Sequence, residues 1–159
     1  MKKILAMLLA LVMVLSLAAC ASTQPAAEPA ASSDAPAESG KTYTVGVCQL
    51  VQHEALDAAT QGFVDALKEA LGDAVTVDVQ NASGDSVNCG TIVNGFVSKG
   101  VDLIMANATP ALTAAVSATA DIPILGTSIT AYGVALDIDD FNGTVGGNVS
   151  GTSDLADLQ

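Results

Sequence analysis

The chain has 159 residues, of which 17 are acidic and 5 are basic, so its formal net charge at pH 7 is −12. This excess of negative charge argues against nucleic acid, anionic lipid headgroups and polyphosphates as binding partners. Once terminal segments are set aside, the length suffices for one folded core and is small for two.

Residues 1–20 have the layout of a bacterial lipoprotein signal segment rather than that of a membrane span. Lys2 and Lys3 precede an apolar run of about a dozen residues, shorter than the roughly 20 that a membrane-spanning helix needs. The run ends in Leu-Ala-Ala-Cys, which resembles a lipobox, so Cys20 is predicted to be the lipidated first residue of the mature protein. The alternative is an ordinary signal segment with an incidental cysteine.

Residues 21–40 are mainly Ala, Pro, Ser and acidic residues. This composition cannot bury enough apolar surface to offset the entropy lost on ordering, and it predicts a disordered tether. The anchor and the tether would together hold a domain outside the cell at the membrane surface. Residues 41–159 are predicted to be that domain.

The predicted domain alternates between short apolar runs and helical patterns. Helices are predicted over Glu54–Leu71, over Ser86–Lys99, and from Thr109 as the N-cap with Pro110 as the first helical residue. Strands are predicted over five runs: Tyr43–Cys48, Val75–Gln80, Val101–Asn107, Ile122–Thr127 and Tyr132–Ile138.

This alternation predicts βαβ units with right-handed crossovers, and therefore an α/β fold with a three-layer, doubly wound parallel sheet of order 2-1-3-4-5. Such sheets bind ligands beyond the carboxyl ends of their strands. The loops after the first, third and fourth predicted strands carry short neutral hydrogen-bonding side chains: Gln49–Glu54, Asn107–Pro110 and Thr127–Thr130. Two of these loops lead into helix N-termini, whose free N–H groups suit a carboxylate.

Several polar residues also have a purely structural interpretation. His53 is read either as a ligand contact or as the start of the first helix, and Ser128 and Thr130 either as ligand contacts or as partners of loop backbone. Asp85 is predicted to cap the second helix. The acidic run Asp137–Asp140 is predicted to be a solvated turn, because it lacks the Gly and Glu spacing of a calcium loop.

Cys48 and Cys89 fall within the predicted domain. In an exported chain they could form a disulfide, but their positions on a strand and on the apolar face of a helix favour buried free thiols. With one His, no Cys-x-x-Cys and no lysine beside the Gly-rich segment Gly143–Asn148, the sequence predicts neither an enzyme nor a cofactor or metal site.

Four segments together resemble one family, the ABC-transporter substrate-binding lipoproteins of the tryptophan/tyrosine-binding type, which have the type I periplasmic-binding-protein fold. They are "VGVCQLVQHEALDAATQGFVDAL", "VQNASGDSVNCGTIVNGFVSKGVDLIMANATPAL", "IPILGTSIT" and "NVSGTSDL". The likeness extends from Tyr43 to Leu158. Family members have two lobes that close on a small solute, so the resemblance implies that this chain is an N-terminal lobe and that the second lobe is missing.

The resemblance also implies a set of ligand contacts, with Asp154 at the crossover facing the ligand. Family members commonly have Glu-His-Pro where this chain has Gln52-His53-Glu54, and Asp-Pro where it has Ala131-Tyr132. These departures bear on which solute is bound rather than on the class of protein. The other implied contacts lie after the first, third and fourth strands: Gln52, His53, Glu54, Ala108, Thr109, Pro110, Thr127, Ser128 and Ile129.

The function implied is that of a monomeric, extracytoplasmic receptor of an ABC importer. It would capture an amino-acid-like solute, aromatic or large and apolar, and deliver it to the permease subunits. The alternative is a sensory lipoprotein of the same fold that binds a sugar, a nucleoside or a signal molecule. Sugar sites usually offer stacked aromatic rings, and the predicted rim has few of them.

Overall fold

The computed structural model describes residues 40–154. The predicted signal segment, the tether up to residue 39, the lipidation site Cys20 and residues 155–159 lie outside the described residues. The elements follow in the order β1 (Tyr43–Gln49), α1 (Glu54–Leu71), β2 (Val75–Asn81), α2 (Ser86–Lys99), β3 (Leu103–Asn107), α3 (Thr109–Ala118), β4 (Ile124–Ile129), α4 (Tyr132–Ala135) and β5 (Val149–Ser153).

The strands form one parallel sheet of order β2-β1-β3-β4-β5, which confirms the predicted α/β class and strand order. Cys48 and Gln49 are successive residues of β1, so their side chains point to opposite faces of the sheet. Cys48 packs in the apolar core with residues of α2 and α3, whereas Gln49 accepts a hydrogen bond from Thr60 of α1. Helix α1 therefore covers one face, and α2 and α3 cover the other.

Helices α1 and α2 begin and end where the sequence predicts. His53 Nδ1 accepts a hydrogen bond from the Ala55 amide at 3.2 Å, and Asp85 Oδ1 accepts one from the Val87 amide at 2.8 Å. Side-chain acceptors at the N-cap satisfy amides that have no partner within the helix. The predicted cap at Asp85 is confirmed, and His53 does start the first helix.

The core between the sheet and the pair α2–α3 contains both cysteines of the domain. Cys48 and Cys89 are free thiols with no exposed surface, as predicted. Burial, followed by the neighbouring Cys89 thiol, raises the pKa of Cys48 to about 12. Burial also raises the pKa of Cys89. Both side chains are therefore neutral packing residues at physiological pH.

The prediction of a strand over Tyr132–Ile138 is wrong. Tyr132–Ala135 form the single-turn helix α4, and the fifth strand is β5, much later in the chain. The apolar alternation is misleading because Val134 is 86% exposed, whereas Tyr132 is buried. Strand β5 has few apolar residues because it lies at the edge of the described sheet, with four of its five residues exposed.

The α4 turn places the side chain of Tyr132 against the sheet. Its hydroxyl donates to the Thr152 carbonyl at 3.4 Å, beside Gly126 of β4 and Gly151 of β5. A Cβ atom at either glycine would collide with the Tyr132 hydroxyl. The two glycines therefore make room for an aromatic side chain that the helical turn brings onto the sheet.

Candidate functional site

Backbone hydrogen bonds join the carboxyl ends of the strands into one edge. The Leu50 amide donates to the Asn107 carbonyl at 3.2 Å, and the Ala108 amide donates to the Thr127 carbonyl at 3.0 Å. At the far side, the Asp154 amide donates to the Ile129 carbonyl, also at 3.0 Å. The structure thus brings the segments that contain the predicted contacts to one edge of the sheet, because parallel strands end on the same side.

The first predicted segment, Gln52-His53-Glu54, lies where the loop after β1 enters α1, and Glu54 is the first residue of that helix. All three residues are exposed, and the imidazole of His53 is held in its capping position over the first turn. Glu54 and Asp57 place two carboxylates in that turn, where the helix dipole favours negative charge.

The second predicted segment, Ala108-Thr109-Pro110, shows a different cap from the one predicted. The N-cap of α3 is Ala108, which has no capping side chain, and Thr109 is already helical. Ala108 has φ 89° and ψ 155°, a conformation that residues with a Cβ rarely adopt. Its carbonyl accepts hydrogen bonds from the amides of Ala111 and Leu112, both at 3.1 Å. The strained turn leaves the N-terminus of α3 at the strand edge.

The sequence predicted that the third segment, Thr127-Ser128-Ile129, is a loop after the fourth strand, and this prediction is wrong. The segment forms the end of β4, which runs two residues further than expected. Ser128 has φ 56° within a register irregularity, and Ile129 is fully buried in the apolar core. Thr127 lies on the face of the sheet covered by α1, with its hydroxyl 3.5 Å from that of Thr152.

A layer of buried polar side chains lies directly beneath this edge. The sequence placed Gln49 and Asn107 in rim loops, whereas they end strands β1 and β3, and it did not single out Thr60. Gln49, Thr60 and Asn107 are 4%, 7% and 0% exposed. The Thr60 hydroxyl donates to Gln49 Oε1 at 2.6 Å and accepts from Asn107 Nδ2 at 2.9 Å. The signal that would have found them is an amide side chain at the last position of two otherwise apolar strands.

An open groove of about 760 Å³ lies beside α1. Of the ligand contacts implied by the sequence, only Gln52 lines it, so the groove flanks the predicted rim and is not the same site. One side chain that lines it is Val79 of β2, which is 48% exposed. The remaining lining residues are mostly polar: Gln49, Val51, Asp57, Thr60, Gln61, Asn81 and Ser83.

The charged groups at the edge are few and mainly acidic. Within residues 40–154, no cluster of three or more His, Cys, Asp or Glu side chains is placed to hold a metal ion. In the same range, no helix combines the length and the apolar character that crossing a membrane requires. The chemistry available here is hydrogen bonding by neutral groups, helix N-termini and a few carboxylates.

Comparison with known proteins identifies the family to which this chain belongs. The sequence profile of the family described as "ABC transporter substrate binding protein" matches residues 44–159. The chain belongs to the family of ABC transporter substrate-binding proteins. Substrate-binding proteins of ABC transporters are extracytoplasmic, and the relatives of this chain are binding proteins rather than enzymes. The resemblance read from the sequence is confirmed.

Individual relatives agree with the family. The chain is 38% identical over 164 residues to a tyrosine-binding protein of Clostridioides difficile, covering 99% of this chain and 46% of that protein. The ligand-free, open structure of a substrate-binding protein with adhesive properties from the same organism is 41% identical, with a TM-score of 0.67 over 74% of this chain and 40% of that one.

A structure from Streptococcus pneumoniae in complex with L-Trp is 36% identical, with a TM-score of 0.65 over 71% of this chain and 39% of that one. The substrate-binding protein described here therefore spans less than half the length of the relatives that it matches.

Proposed function

We propose that this chain is one lobe of a lipoprotein receptor that captures a small amino-acid-like solute, aromatic or large and apolar, and delivers it to an ABC permease. One relative is a tyrosine-binding protein and another is in complex with L-Trp. In this proposal residues 1–20 are the signal segment, residues 21–40 the tether and residues 41–159 the lobe. A second lobe supplies the opposite side of the cleft.

The observation that carries the proposal is the convergence of neutral polar strand ends with the N-terminus of α3 at one edge. Free amides at a helix N-terminus suit the carboxylate of an amino acid. Few charges surround them, which favours an apolar side chain on the solute. The proposed contacts leave out Ile129, because its side chain is buried in the apolar core. They are Gln52, His53, Glu54, Ala108, Thr109, Pro110, Thr127, Ser128 and Asp154.

Calorimetry of the two-lobe protein of this proposal with L-Trp, L-Tyr, ribose and adenosine tests this function. We expect binding of an aromatic amino acid and none of the sugar or the nucleoside. Thr109→Ala should weaken that binding about tenfold, because the hydrogen bond proposed between the Thr109 hydroxyl and the solute carboxylate is lost. Thr113→Ala, one turn further along the same helix, removes a hydroxyl bonded to the Thr109 carbonyl and should leave affinity unchanged. Tight binding of ribose alone would favour the sensory alternative.

The membrane anchor has a test of its own. Cys20→Ser should release the protein from the membrane fraction and abolish its labelling with a radioactive fatty acid. A membrane-bound Cys20→Ser variant would contradict lipidation at this residue, and it would leave the solute-binding proposal intact.

A further inference from the structure

Two neighbouring strands end in amide side chains buried on the same face of the sheet. Gln49 closes β1 and Asn107 closes β3, and the two residues are paired in the strand register. Both face α1, where Thr60 lies between them. Burying polar groups destabilises a fold unless they are hydrogen-bonded. Apolar residues would have filled these positions more simply.

The hydrogen bonds among the three side chains have a fixed direction. The Thr60 hydroxyl has one proton, which it donates to Gln49 Oε1, so it must accept from Asn107 Nδ2. The second proton of Asn107 Nδ2 goes to the Leu56 carbonyl at 2.8 Å. Each member of this chain of bonds polarises the next and restricts its rotamer.

The same side chains hold the backbone on both sides of Gln52–Glu54. Gln49 Nε2 donates to the Val51 carbonyl at 2.9 Å and to Asp57 Oδ1 at 2.6 Å. On the other side of Gln52–Glu54, Asn107 Nδ2 donates to the Leu56 carbonyl. The first predicted ligand segment is therefore tied to the sheet before it begins and after it ends.

Asn107 also connects this network to the second segment. It directly precedes Ala108, and its backbone carbonyl accepts the Leu50 amide. Asn107 Oδ1 is a buried atom without a hydrogen-bond partner among residues 40–154.

We propose that Gln49, Thr60 and Asn107 are positioning residues that fix the segments Gln52–Glu54 and Ala108–Pro110 in the geometry that receives the solute. The inference rests on the function proposed above. The three side chains lie beneath the segments and act through them, so they need not touch the ligand.

Thr60→Val tests the role without any ligand, since it keeps the side-chain shape and removes the bridging hydroxyl. Hydrogen exchange followed by mass spectrometry should show amides in residues 50–57 and 107–112 exchanging on the order of tenfold faster than in the wild type. Thr60→Ser keeps the hydroxyl and should exchange like the wild type. Val64→Ala, one turn further along α1 and also buried, controls for general loosening of the helix.

The decisive comparison is between Thr60→Val and Val64→Ala under conditions where the two variants have equal global stability. The proposal is overturned if amides of residues 50–57 and 107–112 exchange at the same rate in both variants. A merely structural role would lower the melting temperature of both variants and leave the two segments equally protected.

Binding of L-Trp to the two-lobe protein of the proposed function supplies the second readout, at a temperature where every variant is folded. We expect Kd to rise about tenfold in Thr60→Val and to stay at the wild-type value in Thr60→Ser and Val64→Ala. Unchanged affinity in Thr60→Val, beside a wild-type protein that binds, would also overturn the positioning role. If the wild type bound neither L-Trp nor L-Tyr, the proposed function would fall, and the exchange data would still decide whether the network fixes the two segments.

Discussion

Backbone strain in this protein is placed at the proposed ligand edge. Ala108 and Ser128 both have positive φ, at 89° and 56°, and both lie at carboxyl ends of neighbouring strands. Such conformations cost about 1–3 kcal/mol at a residue that has a Cβ, and they persist where the surrounding structure imposes them. At Ala108 three backbone hydrogen bonds hold this conformation. Its amide donates to the Thr127 carbonyl, and its own carbonyl accepts from two amides of α3.

Ala108→Gly should raise the free energy of unfolding by about 1 kcal/mol, because glycine adopts φ near 90° without a steric penalty. Urea denaturation of the wild type and the variant measures the difference. Ala58→Gly is the matched control, since it makes the same change at an exposed position inside α1 and should lower stability by about 1 kcal/mol. Equal losses in the two variants would show that Ala108 is not strained.

Because the Cys48 thiol is buried, we expect the protein to lose stability at high pH. The folded pKa of Cys48, about 12, lies above the ordinary thiol value of 9.0, so the unfolded chain ionises first as pH rises. Stability is therefore unaffected below pH 9 and falls between pH 9 and 12, with a slope approaching about 1.4 kcal/mol per pH unit. Urea denaturation at several pH values should give a smaller slope for Cys48→Ala. Identical slopes would contradict the raised pKa.

Among the elements, the contact between β1 and α2 leaves no space for a side chain at Gly46. A Cβ atom there would lie 2.6 Å from Cγ of Phe96, whose ring is fully buried. The sheet and α2 therefore approach closely, and the Phe96 ring occupies the volume that a side chain on the strand would otherwise fill. Close packing of this kind resists even one added methyl group.

Gly46→Ala should lower the free energy of unfolding by about 2 kcal/mol through overpacking against Phe96. Gly95→Ala, at the residue before Phe96 in α2, would meet no atom within 4 Å beyond its chain neighbours and its own helix backbone, and should raise stability by about 1 kcal/mol. Thermal or urea denaturation distinguishes them. Combining Gly46→Ala with Phe96→Leu should recover part of the loss, and no recovery would argue against a clash with the ring.

At the scale of the whole molecule, the proposed function makes the polar strand ends one side of a cleft. Ligand sites of this kind usually bury about 70–90% of a small molecule, and a single edge cannot enclose a ligand to that extent. The longer relatives, of which this chain covers 46% or less, contain additional residues that could form an opposing surface.

Residues 41–159 alone should therefore bind L-Trp with a Kd of about 1 mM or weaker, equivalent to about −4 kcal/mol. Titration calorimetry or ligand-observed NMR measures this, with the two-lobe protein of the proposed function as reference. Micromolar binding by residues 41–159 would show that this edge is a complete site.

The sequence by itself determined the class of fold, the strand order and the bounds of α1 and α2. Each of these depends on local periodicity, on Gly72 and Gly100 at the helix ends, and on the cap at Asp85. It also predicted the edge at which the polar segments meet, because parallel topology places the strand ends together.

Only the tertiary structure decided the rest. Strand β5 is defined by its pairing with β4, and the α4 turn places Tyr132 over Gly126 and Gly151, which belong to different strands. The network of Gln49, Thr60 and Asn107 likewise joins residues from three elements. Local patterns do not record such contacts, because the free energy of burying a polar or aromatic side chain depends on what the folded chain places beside it.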